Sequence, residues 1–220
     1  MSRSNVVLLD HWVSPYAMRV RIALWEKGVE FESRQQDLGN KSELLLRSNP
    51  IYKKAPVLLH DDKPLCESLI IVEYIDEVWP SPPLLPSSSY ERATARFWAD
   101  FIDKKFAEAA IKTWRSARSA EELEAARNEF FETLKQLEEF LGEKDYFGGE
   151  TFGLVDLALI PFWSWFSAYE KFGGFKIESP KLSAWIQRCM ERESVAKALP
   201  AQEKVLEFVC MLRKIFGFDQ

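Results

Sequence analysis

The feature that most constrains this chain is a run of helix and strand breakers, Pro80-Ser81-Pro82-Pro83 through Pro86-Ser87-Ser88-Ser89. Proline fixes φ and removes a backbone donor, so no regular element crosses such a run. The hydrophobic spacing differs on its two sides. Residues 81–90 therefore read as a linker between two domains, 1–80 and 91–220.

Ahead of the linker, short strands alternate with helices. Val6-Val7-Leu8-Leu9 is an apolar run of strand length. Ser14-Pro15 then starts a helix, with Ser as N-cap and Pro at the first position. Gly28 ends that helix, and Val29-Glu30-Phe31-Glu32 begins a second strand. This is a β-α-β unit with a parallel strand pair. After a looser stretch from Lys41 to Asn49, Pro56-Val57-Leu58-Leu59 and Pro64-Leu65-Cys66 form two strands around an Asp61-Asp62 turn. Ser68 is expected to cap the next helix. The order β-α-β, β-β-α is that of an α/β thioredoxin-like domain.

Beyond the linker every pattern is helical. Trp98, Ile102, Phe106, Ala110 and Trp114 recur at every fourth residue. Ser119 with Glu122 is a capping box, followed by Leu123, Ala126, Phe130, Leu134, Leu137 and Leu141 on one face, and Gly142 as the stop. Ser179-Pro180 opens another helix. The second domain is all-α.

Bulk properties exclude several functions. Hydrophobic residues make up 47% of the chain, charged residues 29%, and the net charge is -5. A nucleic-acid binder would carry a basic balance or stripe instead. Cys66, Cys189 and Cys210 are sparse and unpaired in spacing, which suits free thiols in the cytosol. The stretch from Phe152 to Phe166 is broken by Asp156 and Pro161 and is too short for a membrane span. With only His11 and His60, no metal-ligand spacing exists. A Ser14–His11 hydrolase pair lacks the elbow motif such enzymes use.

What remains is a set of polar residues at strand-to-helix junctions. Ser14 stands where a helix N-terminus carries partial positive charge and lowers the pKa of a thiol. No base is placed to make Ser14 a nucleophile, so its hydroxyl would stabilise the thiolate of a ligand. A cis Pro56 would turn the backbone of Ala55 outward to pair with an extended peptide. At the next junction the helix N-terminus at Ser68 suits a carboxylate and Glu67 an ammonium. Lys41 and Lys54 suit a second carboxylate. The ligand so described is a short peptide with a zwitterionic head, an acidic tail and a thiol between them.

These segments, Ser14-Pro15-Tyr16-Ala17-Met18-Arg19-Val20, Asn40-Lys41-Ser42, Asn49-Pro50, Lys53-Lys54-Ala55-Pro56-Val57 and Glu67-Ser68, closely resemble plant tau-class glutathione S-transferases. So do Phe147-Gly148-Gly149-Glu150-Thr151 and Val155-Asp156-Leu157-Ala158-Leu159, and the likeness covers essentially the whole chain. The resemblance implies a cytosolic homodimer active in detoxification and stress response, with glutathione as co-substrate and no tightly bound cofactor or metal. It implies that the Ser14 hydroxyl holds the glutathione thiolate and that Lys41 and Lys54 meet the glycyl end. Ala55 and Pro56 would bind the cysteinyl backbone, and Glu67 with Ser68 the γ-glutamyl end. The thiolate would attack hydrophobic electrophiles, some members also reducing organic hydroperoxides. Tyr16, Ile111, Trp114, Trp163, Phe208 and Leu212 resemble family pocket positions for the second substrate, expected between the domains. Asp156, three residues after Gly153, is expected to serve folding. A ligandin-like carrier of hydrophobic molecules is the alternative, but it would have no reason to keep the intact polar set. A thiol-transfer relative would want Cys at position 14.

Overall fold

The computed structural model describes residues 5–115 and 119–218. They form two compact units. One runs to Leu85 and also takes in Glu193–Ala198; the other consists of Pro86–Arg192 and the chain from Leu199 onward.

The first unit contains β1 (Val6–Asp10), α1 (Pro15–Glu26), β2 (Glu32–Gln35), α2 (Glu43–Ser48), β3 (Val57–His60), β4 (Lys63–Cys66) and α3 (Ser68–Val78). Its four strands lie in the order β2-β1-β3-β4. β1 pairs parallel to β2 and antiparallel to β3, and β3 pairs antiparallel to β4. β1 is buried along its whole length, as a central strand covered on both faces should be. Met18, Ile22 and Leu24 of α1 and Ile71, Val72 and Ile75 of α3 are sealed from solvent. Each such side chain contributes about 1.5–3 kcal/mol of burial.

Three local expectations need correction. β2 starts at Glu32 rather than Val29, because residues 29–31 still belong to the exit from α1, where Val29 N donates to Leu24 O at 2.9 Å. The stretch after Lys41 is not loose. Ser42 caps a helix there, accepting the Leu45 N–H at 3.1 Å, and the run Leu44-Leu45-Leu46 hides the helical period because only Leu45 is fully buried. Ser68 is not a cap but the first residue of α3; Glu67 occupies the cap position. The Asp61-Asp62 turn has φ of 48° and 63°, the left-handed values that a two-residue type I′ hairpin requires.

The second unit contains α4 (Ser89–Phe101), a π-helical turn (Ile102–Phe106), α5 (Ala107–Arg115), α6 (Ala120–Leu141), α7 (Leu154–Leu159), a 3₁₀ segment (Ile160–Trp165), α8 (Phe166–Gly173), α9 (Pro180–Met190) and α11 (Gln202–Phe216); Glu193–Ala198 of the first unit is α10. The π turn explains the fourfold spacing from Trp98 to Trp114. In an α-helix each four-residue step drifts by about 40°. The wider turn resets the drift, so Ile102, Phe106, Ala110 and Trp114 all remain buried. Phe106 is central, edge-on to Phe162 at 5.3 Å and near Phe130 at 5.6 Å. Ser119 accepts the Glu122 N–H at 3.1 Å, and Gly142 ends α6 at φ 58°.

Candidate functional site

Strand direction decides which residues meet. Asp10 at the end of β1 pairs with Gln35 at the end of β2, Leu9 with Val57 at the start of β3, and Val57 with Cys66 at the end of β4. Four chain segments therefore leave or enter the sheet at one edge. They carry Ser14, the Lys41 loop, Lys54-Ala55-Pro56, and Glu67-Ser68. The polar residues singled out in the sequence of this unit all lie at that edge, and the Asp61-Asp62 turn lies at the other.

Ser14 is the N-cap of α1. Its Oγ accepts the Ala17 N–H at 3.3 Å, and its own N–H donates to the His11 carbonyl at 2.9 Å. Among the described residues no acceptor engages the Ser14 hydroxyl proton. A half-buried hydroxyl that already accepts one bond thus has its donor to offer. Beside it, His11 Nδ1 is 3.1 Å from the Gln36 carbonyl, and burial lowers the imidazole pKa. His11 is thereby kept neutral and tied to the backbone.

Lys41 and Lys54 are exposed, and hydrogen bonds order the loops that bear them. The Ser42 hydroxyl donates to Gln36 Oε1 at 2.6 Å, and Gln36 N donates to the Asp10 carbonyl at 2.7 Å. Buried Asn49 donates from Nδ2 to the Lys54 carbonyl at 3.0 Å and accepts the Tyr52 N–H at 3.1 Å. The Ala55–Pro56 bond is cis. Gln36, Ser42 and Asn49 were not read from the sequence as site residues. Ser42 had a signal, an N-cap type directly after Lys41, and Asn49 lay in a family-like segment; buried Gln36 had none.

Glu67 has φ 70°, a left-handed conformation that is uncommon for a residue with a side chain and marks this junction as constrained. Ser68, beside it, is buried, and its Oγ accepts Arg19 Nη1 at 3.2 Å. The Arg19 guanidinium also lies 5.0 Å from the ring centroid of Tyr16 on the same helix, so the bond to Ser68 is what ties α1 to α3. Burial raises the pKa of the Cys66 thiol, with Glu67 adding to the effect.

The apolar candidates are scattered. Tyr16 belongs to the first unit and is half-buried. Ile111, Phe208 and Leu212 in the second are also half-buried, whereas Trp114 is 2% exposed and packs 6.0 Å from Trp165. Trp163 lines a small cavity of about 200 Å³ with Phe166, Ile177, Leu182, Ile186 and Gln202, which does not include Trp114. Among the described residues no group of three or more His, Cys, Asp or Glu could hold a metal ion, and no helix is long and apolar enough to cross a membrane.

Known proteins resemble this chain over nearly its whole length. Residues 4–77 match the family model for the glutathione S-transferase N-terminal domain, and residues 99–193 that for the C-terminal domain. The chain is 60% identical to glutathione S-transferase U25 of Arabidopsis thaliana over 98% of each chain. It is 58% identical to the probable glutathione S-transferase parC of Nicotiana tabacum over the full length of both. Among solved structures, rice GST1 in complex with glutathione is 48% identical, with a TM-score of 0.93 over 98% of this chain and 99% of that one. A tau-class glutathione S-transferase from mango, Mangifera indica, is 43% identical, with a TM-score of 0.90 over 94% and 98%.

Proposed function

The chain belongs to the glutathione S-transferase family, in its plant tau class, and from that premise we propose that Ser14 holds the thiolate of glutathione for attack on a hydrophobic electrophile. The protein is a transferase that conjugates glutathione to such compounds. The observation that carries the role of Ser14 is its uncommitted hydroxyl donor at the N-terminus of α1, on the sheet edge shared with the other polar candidates.

A free thiol has a pKa of about 8.5, so little thiolate exists at neutral pH. The hydroxyl donor and the helix N-terminus both favour the charged form. Each unit of lowering is about 1.4 kcal/mol, within reach of two modest interactions. In this reading Lys41 and Lys54 meet the glycyl carboxylate of glutathione. The backbone of Ala55, turned by cis Pro56, pairs with the cysteinyl residue. Glu67 takes the γ-glutamyl ammonium and the start of α3 at Ser68 its carboxylate. Bound this way, the sulfur is fixed beside its electrophile, which replaces a bimolecular encounter by a positioned one.

The working form is a homodimer in the cytosol. Support for the dimer comes from large apolar side chains left on the surface of each unit: Ile51 (82% exposed), Tyr52 and Ile70 in the first, Tyr90 and Phe97 (63%) in the second.

The test is steady-state conjugation of a chloronitroaromatic substrate by wild type and Ser14→Ala over a pH series. Wild type should be active. The variant should lose most activity and need higher pH for what remains. Glutathione binding with no effect of Ser14→Ala would instead favour the carrier reading.

A further inference from the structure

Arg21 lies on α1 seven residues after Ser14, about two helical turns along, and is buried. Its Nη1 donates to Asp10 Oδ1 at 2.6 Å. Its Nη2 donates both to the Trp12 carbonyl and to the Ala198 carbonyl at the end of α10, each at 3.0 Å. The other Asp10 oxygen is held by the Ser33 hydroxyl at 2.9 Å and Gln35 Nε2 at 3.0 Å, so the carboxylate is fixed from both sides. Asp10 closes β1 and Trp12 lies in the turn that delivers Ser14. One guanidinium therefore grips the turn at its entry and its middle, from the same helix that the turn begins.

A buried ion pair with Asp10 would need only one cationic contact. The second nitrogen instead engages two main-chain carbonyls, and one of them is two residues from Ser14. We infer that Arg21 is a positioning residue for conjugation, fixing the Trp12–Ser14 turn so that the Ser14 hydroxyl stands at one distance from the glutathione sulfur. Its significance rests on the reading of Ser14 given above. A displacement of about 1 Å in a reacting geometry can cost on the order of 100-fold in rate, so the turn must be held more firmly than backbone bonds alone hold it. Only a planar fork with several donors does this; a lysine is a point charge.

The variant to test is Arg21→Lys, which keeps a cation beside Asp10 but cannot reach both carbonyls. Asp10→Asn, which loosens the guanidinium without removing its donors, is the second. The readouts are the pKa of the bound glutathione thiol, from thiolate absorbance, and the pH profile of kcat/KM, with circular dichroism to verify folding. Arg21→Lys should raise the thiol pKa and lower kcat by roughly 10- to 100-fold, with less than about a threefold change in KM for glutathione. Asp10→Asn should shift both readouts the same way, by less. In a Ser14→Ala background, Arg21→Lys should have almost no further effect, since the two act as one unit. A folded Arg21→Lys protein with a wild-type pH profile, or a loss that multiplies with that of Ser14→Ala, would overturn the proposal and leave the reading of Ser14 intact. Should Arg21→Lys not fold, a wild-type pH profile in Asp10→Asn has the same force. If Ser14→Ala itself leaves the thiol pKa unmoved, the reading of Ser14 fails and this one falls with it.

Discussion

The indole N–H of Trp185 reaches the carboxylate of Asp156 at 2.8 Å, with both side chains buried in the helical unit. The same carboxylate accepts the backbone N–H of Phe147 and of Gly153, each at 3.0 Å. Asp156 thus joins the loop before α7, the start of α7 and the middle of α9. Gly153 has no side chain to cap with, so this return bond from Asp156 is the capping interaction that remains, while Phe152 and Leu157 are buried at the staple positions. It is a folding element, as its spacing suggested.

Burial raises the Asp156 pKa to about 6, with the three donors offsetting part of the effect. An unfolded Asp titrates near 3.9. Between these values the folded state holds a proton that the unfolded state releases. The contribution is therefore fully present below about pH 4 and lost as pH rises through 6. Lowering the pH from 7 to 5 should add on the order of 1 kcal/mol from this group. Urea unfolding of wild type and Asp156→Asn at both pH values isolates it: the gain should be smaller by that amount in the variant, which should also be less stable at pH 7.

Ser42→Ala removes the cap of α2 and the bond to Gln36, both next to Lys41. Loss of such a cap costs about 1 kcal/mol. Steady-state kinetics should show KM for glutathione rising several-fold while kcat stays close to wild type. A fall in kcat alone would contradict the positional role given to this loop.

Two glycine substitutions should differ sharply. A Cβ at Gly173 would stand 2.2 Å from Cε1 of Phe175, whose ring packs 5.3 Å from Phe130 and 4.9 Å from Phe131. Gly173→Ala should cost about 1–3 kcal/mol or more as that cluster is forced apart. Gly28 has φ 63° but open space around it, so Gly28→Ala should cost only the left-handed penalty of about 1–2 kcal/mol. Thermal melts of the two variants side by side provide the check.

Ile51→Asp places a charge on the most exposed large apolar side chain of the first unit. Sedimentation velocity should show the proposed dimer weakened or lost. An unchanged dimer would place the interface elsewhere.

Much of the fold was legible because strong local signals agreed. Ser14-Pro15, Ser119 with Glu122, Gly28 and Gly142 each carry cap chemistry that acts within a few residues. The cis bond before Pro56 was one of two outcomes that its position at a strand start left open. What escaped depends on distant partners. Ser68 has the composition of a cap, but Arg19, on another helix, takes its hydroxyl. The Trp12 turn is held by Arg21, whose partners are 11, 9 and 177 residues away. Trp163 and Trp114 were both pocket candidates, yet the first lines a cavity and the second is core. No periodicity within a single element distinguishes such cases.

The π turn at Ile102–Phe106 takes up one residue more than an α-helix of the same rotation would need. Deleting one residue there would let the backbone continue as an ordinary α-helix with its hydrogen bonds intact. The side chains from Ala107 onward would then keep their azimuth, and Trp114 would stay in the interior. A deletion within α5 itself has no wide turn to absorb it and would rotate every following side chain about the axis by roughly 100°. Substitutions along this stretch can be judged one at a time, but the effect of a deletion depends on whether it falls in the π turn or beyond it.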